Sequence, residues 1–196
     1  DKNILNIEKD RFSEFSKKFN QKKRMLYIST CSADDPSRNN NLYVLNKLYI
    51  EKIIQNSFKN FLIVRLPEVI WKNENKITLV NFFYNKIKNK KKFEIWNKAK
   101  RNIIDIDDVI LLTLNLIKND NFYGKTINIA NSKSFSVIEI VKTIEQLSGT
   151  KAIYNLIDKG DFDWTIDISE VVELIKKINI NFDENYLYKI IKKYYF

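Results

Sequence analysis

Residues 25–66, MLYISTCSADDPSRNNNLYVLNKLYIEKIIQNSFKNFLIVRL, decide the fold class. Met25–Ile28 is a continuous apolar run and FLIVRL (61–66) is another; both are short and bounded by polar residues, so each predicts a buried strand. Between them, residues 42–58 place apolar side chains at three- and four-residue spacing, which predicts a helix carrying Leu45, Leu48 and the Ile53/Ile54 pair inward. Ser29–Asn41 reads as a polar loop. Two such strands joined by a helix of this length form a right-handed crossover in a parallel sheet, so the fold class is α/β.

The alternation continues on both sides. An amphipathic helix is expected over 8–21, a helix over 77–90, and strands over 93–96 and 102–106. Asp107 or Asp108 opens an apolar helix that runs to Lys118, and KTINIA (125–130) alternates as a strand. Ser136 with Glu139 makes a capping box for a helix that Gly149 ends. A strand over 152–157, a helix from Asp167 with Glu170 in the capping-box position, and a Tyr/Lys-rich helix from 183 complete a small α/β lobe.

Composition narrows the chemistry. The 196 residues contain no His, so Ser-His-Asp and Cys-His catalysis and His-ligated zinc are excluded. One cysteine, Cys31, forms neither an internal disulfide nor a thiolate cage, which fits a reducing, cytoplasmic compartment and no metal site. No apolar run is long enough to span a bilayer, so no membrane partner is expected. The three glycines, Gly124, Gly149 and Gly160, are too far apart to write any GxGxxG or GxxxxGK loop. The net charge is +10, yet only five of the 34 basic residues are Arg. Phosphate and base recognition favour Arg, so the Lys surplus, including KIKNKKK at 86–92, reads as solvated surface in a Lys/Asn/Ile-rich composition rather than a nucleic-acid site.

The chemistry-bearing stretch is YISTCSADDPSRNNNLYVLNKLYIE, 27–51. Tyr43 and Lys47 stand at i and i+4 on one helical face. A cation held there favours the phenolate and lowers the tyrosine pKa, which makes it an acid–base group, and the strand-end hydroxyl of Thr30 can hydrogen-bond the substrate oxygen. This trio is the constellation of a hydride-transfer site that needs no His. The spacing alone is weak, since Tyr84 and Lys88 share it.

Six blocks in order carry a resemblance. Leu5-Asn6-Ile7 resembles an Asn-containing helix start, YIST a strand ending in a catalytic Ser/Thr, and LYVLNKLYIE the Tyr-x-x-x-Lys helix with its trailing Glu51. VRLPEVIW (64–71) is similar to an Arg-x-x-x-x-Gly stretch, RNIIDIDDV (101–109) to an Arg-Asp block, and INIANSKSFSVIEIVKTIEQLSG (127–149) to the strand, cap and helix that follow it. Together they resemble the extended short-chain dehydrogenase/reductase family, the NAD-dependent nucleotide-sugar epimerases, dehydratases and reductases, over the family's C-terminal two-thirds. Trp71 stands where the family has Gly, Asn102 where it has Asp, and Cys31-Ser32 where 4,6-dehydratases have Asp-Glu.

The resemblance implies the C-terminal part of a Rossmann-like parallel sheet plus a small α/β substrate-binding lobe. Residues 1–70 would carry the Tyr-x-x-x-Lys helix, 71–196 mainly the substrate lobe, with 103–135 returning to the sheet. It implies Thr30, Tyr43 and Lys47 as catalytic residues, Tyr43, Lys47 and backbone at Pro67 as cofactor contacts, and Thr30 and Arg101 as substrate contacts. The implied cofactor is NAD or NADP, and the implied substrate is a nucleotide sugar of cell-surface polysaccharide synthesis. The family's glycine-rich loop has no counterpart here, so about 90 residues of cofactor domain are expected ahead of position 1. Two readings follow: an epimerase or keto-sugar reductase completed by that missing segment, or a non-catalytic remnant or split half that binds a partner, a second copy or a sugar nucleotide.

Overall fold

A computed structural model describes residues 2–18, 23–72, 78–160 and 165–196, with the side chains of the first helix from residue 7 onward. In chain order its elements are α1 (Lys2–Lys18), β1 (Met25–Thr30), α2 (Leu42–Ser57), β2 (Phe61–Leu66), β3 (Glu68–Ile70), α3 (Leu79–Lys88), β4 (Phe93–Trp96), β5 (Lys100–Arg101) and β6 (Ile103–Asp105). There follow α4 (Ile106–Ile117), β7 (Lys125–Asn128), β8 (Phe135–Ser136), α5 (Val137–Ser148), β9 (Tyr154–Ile157), α6 (Val172–Lys177) and α7 (Tyr186–Tyr195). They divide into two compact units. The first takes Asp1–Pro67, Ile110–Ile129 and Ile166–Leu174, and the second Glu68–Val109, Ala130–Thr165 and Ile175–Phe196.

The first unit is built on a parallel sheet in the order β1-β2-β7. β1 and β2 pair from Met25 opposite Phe61 to Thr30 opposite Leu66, and α2 is the crossover that the sequence predicts. β2 is the central strand and is buried from Phe61 to Val64. β1 departs from the expected fully buried strand: Leu26 and Ile28 are 40% and 42% exposed, because β1 is an edge of the described sheet. Ile50, Ile54 and Phe58 close on Phe61 and Ile63, with Phe12, Met25 and Tyr27 packed around them. Asn41 starts α2 by accepting from the Tyr43 and Val44 amides.

The rotation of α2 differs from the expectation. Val44, Asn46, Ile50, Glu51 and Ile54 are buried, whereas Leu45 is 43% exposed. Two buried polar residues account for this. Asn46 donates to Glu8 at 2.7 Å and Glu51 is bonded to β1 and β2, so these anchors set the helix face and Leu45 turns outward.

The second unit contains a parallel pair β3-β6, a parallel pair β4-β9 and an antiparallel pair β5-β8. Val80, Phe83 and Ile87 of α3, Ile140, Val141 and Ile144 of α5, and Leu187, Ile190 and Ile191 of α7 form one core with Phe93, Ile95 and Ile103. The capping box forms as predicted, Ser136 and Glu139 exchanging bonds of 2.6 and 3.1 Å, and Gly149 ends α5 at φ 65°. Gly160 is required by close approach: at φ +95° a Cβ would lie 2.6 Å from the Ala99 nitrogen.

The strand expected over 102–106 forms as β6, and the short β5 precedes it, with Asn102 between them bonded to the 131–133 turn. Two local expectations are corrected. The cap of α4 is Asp105, which accepts from the Asp107 amide at 3.0 Å, rather than Asp107 or Asp108. Near Asp167 the chain first makes a 3-10 turn, Ser169–Val171, and the Glu170 carboxylate binds Lys125 at 2.8 Å instead of closing a capping box.

Candidate active site

β1 and β2 run parallel and end together at Thr30 and Leu66, so the loops leaving their C-terminal ends share one edge of the first unit. In a parallel α/β sheet that edge is where ligands are received. Tyr43 stands in the first turn of α2, 51% exposed, and Lys47 lies one turn further along. The Lys47 ammonium is 5.9 Å from the Tyr43 ring centroid and 4.9 Å from that of Tyr27. Its one hydrogen bond among the described residues is a long contact of 3.4 Å to the Ile28 carbonyl. The structure therefore brings Tyr43 and Lys47 together, as their spacing predicts.

Thr30 is 8% exposed, and its hydroxyl accepts from the Ser32 amide at 3.2 Å, capping a 3-10 turn over Cys31–Asp34. Its own proton remains available to a substrate oxygen. Pro67 follows β2 and precedes β3. Arg101 belongs to the second unit, on β5 opposite Phe135 of β8, where its Nη1 donates to the Lys100 carbonyl at 2.7 Å. Of the carboxylates near it in sequence, Asp105 and Asp107 are bound by Lys193 at 2.7 and 2.6 Å. Leu5 and Asn6, the expected helix start, lie outside the residues whose side chains are described.

The electrostatics correct one expectation. Burial raises the Tyr43 phenol above the ordinary tyrosine range, and the Glu8 carboxylate adds to the rise, whereas Lys47 was expected to lower it. The ammonium faces the ring surfaces and the Ile28 carbonyl, which explains why it does not offset burial. At neutral pH the phenol is therefore the protonated, donating form.

Beneath these groups lies a network that the sequence reading did not assemble. Glu51 is 2% exposed. It accepts from the Ser29 hydroxyl at 2.5 Å and from Arg65 Nε and Nη2, at 2.9 and 2.6 Å. Arg65 also reaches Asp34 at 2.5 Å, and Asn128 donates to Asp34 at 3.4 Å and to the Asp167 carbonyl at 3.0 Å. Cys31 is buried against Asn128, and burial pushes its thiol pKa far up, so it is no nucleophile. The available signal was spacing: Glu51 falls four residues after Lys47 and eight after Tyr43, along one helical stripe. Among the described residues no group of three or more acidic or Cys side chains forms a metal site, and no helix is long and apolar enough to cross a membrane.

The sequence matches the model of the NAD dependent epimerase/dehydratase family over residues 14–130, more than half of the chain. No curated protein sequence matches it. Among solved structures, UDP-glucuronic acid 4-epimerase from Bacillus cereus, in complex with UDP-glucuronic acid and NAD, is similar at 21% identity and a TM-score of 0.72, with 95% of this chain and 67% of that one covered. UDP-N-acetylglucosamine 4-epimerase from Methanobrevibacter ruminantium M1, in complex with UDP-N-acetylmuramic acid, shares 17% identity at a TM-score of 0.67, over 88% of this chain and 61% of that one. UDP-glucose 4-epimerase from Thermus thermophilus, in complex with NAD, shares 10% identity at 0.67, over 88% and 64%. The chain thus spans about two-thirds or less of these structures' own lengths, and at such identities they show the fold, an α/β Rossmann-like one. With its parallel crossover, its Tyr-x-x-x-Lys helix and a family match that contains both, the chain belongs to the NAD dependent epimerase/dehydratase family, within the extended short-chain dehydrogenases/reductases.

Proposed function

We propose that this chain supplies the catalytic helix and the sugar-nucleotide half of an NAD(P)-dependent nucleotide-sugar epimerase or keto-sugar reductase acting in cell-surface polysaccharide synthesis. The observation that carries the reading is the Tyr43–Lys47 pair, side by side at the C-terminal edge of a parallel sheet with Thr30 ending the adjoining strand. The dinucleotide, when bound, supplies hydride acceptance and return at the sugar carbon. The donor set fits such a group: Lys47 spends one long hydrogen bond on Ile28, which leaves donors for ribose hydroxyls. Lys47, Tyr43 and the backbone at Pro67 would hold the nicotinamide end. The glycines present offer no cradle for its diphosphate.

The roles divide by chemistry. The Thr30 hydroxyl binds the reacting sugar oxygen. Tyr43, protonated at neutral pH, donates to a keto oxygen. Taking a proton from a sugar hydroxyl needs Lys47 to swing from Ile28 toward the phenol, where its charge opposes burial. Arg101 would contact the substrate diphosphate as a bidentate donor. The test is conversion of UDP-glucose with added NAD by the protein as isolated from its source, beside its Tyr43→Phe variant. Loss of turnover with the fold retained supports the assignment, and wild-type turnover in the variant refutes it.

A second reading is favoured by exposed apolar faces. Leu26 and Ile28 on β1 and Leu42, Leu45 and Tyr49 on α2 are each 40–47% exposed, apolar surface that a complement could cover. In that reading the chain is a half that associates with a complement, and a monodisperse monomer at micromolar concentration would count against it.

A further inference from the structure

We infer that the buried Glu51–Arg65 pair is a positioning device for the reactive end of β1, acting through Ser29 on the Thr30 hydroxyl. The inference rests on the site reading above for its catalytic meaning, but its geometry stands apart from it. Ser29 and Arg65 are register partners on adjacent parallel strands, so their side chains leave the sheet on the same face. Glu51 descends onto that face from α2 and takes both, one carboxylate oxygen shared between the Ser29 hydroxyl and Arg65 Nε, the other bound by Arg65 Nη2.

Two consequences follow. Because Ser29 and Thr30 are consecutive at the end of β1, fixing Ser29 to Glu51 holds the backbone from which the Thr30 hydroxyl caps the 31–34 turn. Because Tyr43, Lys47 and Glu51 share one stripe of α2, the same carboxylate that holds Ser29 also sets the rotation of the helix that presents the phenol and the ammonium. Arg65 extends the hold through Asp34 to the far end of the turn that Thr30 caps. Neither Glu51 nor Arg65 is assigned contact with reacting atoms, so both are positioning residues.

The experiment is amide hydrogen exchange on the full chain, comparing wild type with Ser29→Ala, Ser29→Thr and Glu51→Gln. The reporter is the Ser32 amide, capped by Thr30 at 3.2 Å, and the reference is the Ile63 amide at the centre of the sheet. Losing the hold on Thr30 should speed Ser32 exchange about tenfold in Ser29→Ala, with Ile63 unchanged and Ser29→Thr close to wild type. Glu51→Gln should do the same if it folds; Ser29→Ala, which leaves the ion pair in place, decides the matter if it does not. Unchanged Ser32 exchange in Ser29→Ala overturns the proposal, as does a parallel rise at Ser32 and Ile63, which would mean general loosening. Wild-type turnover by the Tyr43→Phe variant of the protein as isolated from its source would sink the site reading without touching this outcome.

Discussion

Replacing Tyr186 by Phe tests how the second unit fixes the 101–109 block that carries Arg101. Tyr186 is 5% exposed, and its hydroxyl has two partners: it accepts from the Asp105 amide at 2.9 Å and donates to Asp108 Oδ2 at 2.6 Å. Phe keeps the ring and its packing on Phe182 but strands a buried amide and removes a charge-assisted bond. The first loss costs about 1–3 kcal/mol and the second about 1.5–3, with partial relief as water enters, so about 3 kcal/mol is expected. For a chain of this size that lowers Tm by roughly 6–12 °C. Urea denaturation should show a lower midpoint at unchanged slope. Tyr188→Phe is the control, since its hydroxyl has no hydrogen-bond partner among the described residues. The cost also depends on pH: burial holds the Asp108 pKa above its ordinary value and the Tyr186 bond pulls it back, so the variant's deficit should shrink as acid protonates Asp108. A loss below about 0.5 kcal/mol at neutral pH would refute the reasoning, because even one net hydrogen bond exceeds that.

Two further outcomes are expected. Asn102→Asp keeps the acceptor for the Asn131 amide but loses donation to the Asn131 and Lys133 carbonyls at 2.8 and 3.3 Å, so it should cost about 1–2 kcal/mol at neutral pH and less in acid; an equally stable variant would show that the amide does not clamp this turn. In alkali, Cys31, Tyr27, Tyr186 and Tyr195 keep their protons in the folded chain where the unfolded chain has lost them, and burial with the Asp105 bond pushes Tyr194 up to about 12. Stability should therefore fall as pH rises above 9, and Tyr194→Phe should flatten the slope between 10 and 12; a Tm that is flat or rising there contradicts the assignment.

Much of the first unit is legible in local pattern. The βαβ crossover, the FLIVRL strand and the Tyr43–Lys47 face need only apolar runs, turn residues and the helical period, and all three stand in the structure. So do the Ser136 cap and Gly149. What was not legible depends on partners distant in sequence. β4 pairs with β9, and Glu51 meets both Ser29 and Arg65, through tertiary contacts that no window of residues contains. The same cause explains the error at Leu45: an apolar period fixes that a helix has an inward face, but buried polar anchors chose which face. The raised Tyr43 pKa was missed because spacing brings Lys47 near without saying that its charge is aimed at a carbonyl and a ring face.

Each compact unit is assembled from three separate stretches, so the polypeptide passes between them five times. Neither unit can be excised as one continuous segment. A nascent chain that has emerged only to residue 165 lacks the Asp167 carbonyl that Asn128 binds and the Glu170 carboxylate that Lys125 binds. The sheet itself unites strands 36 and 63 positions apart, Met25 with Phe61 and Leu62 with Lys125. Such a topology closes long loops before it is rewarded by contacts, which slows folding and ties completion of the first unit to the arrival of the last third of the sequence.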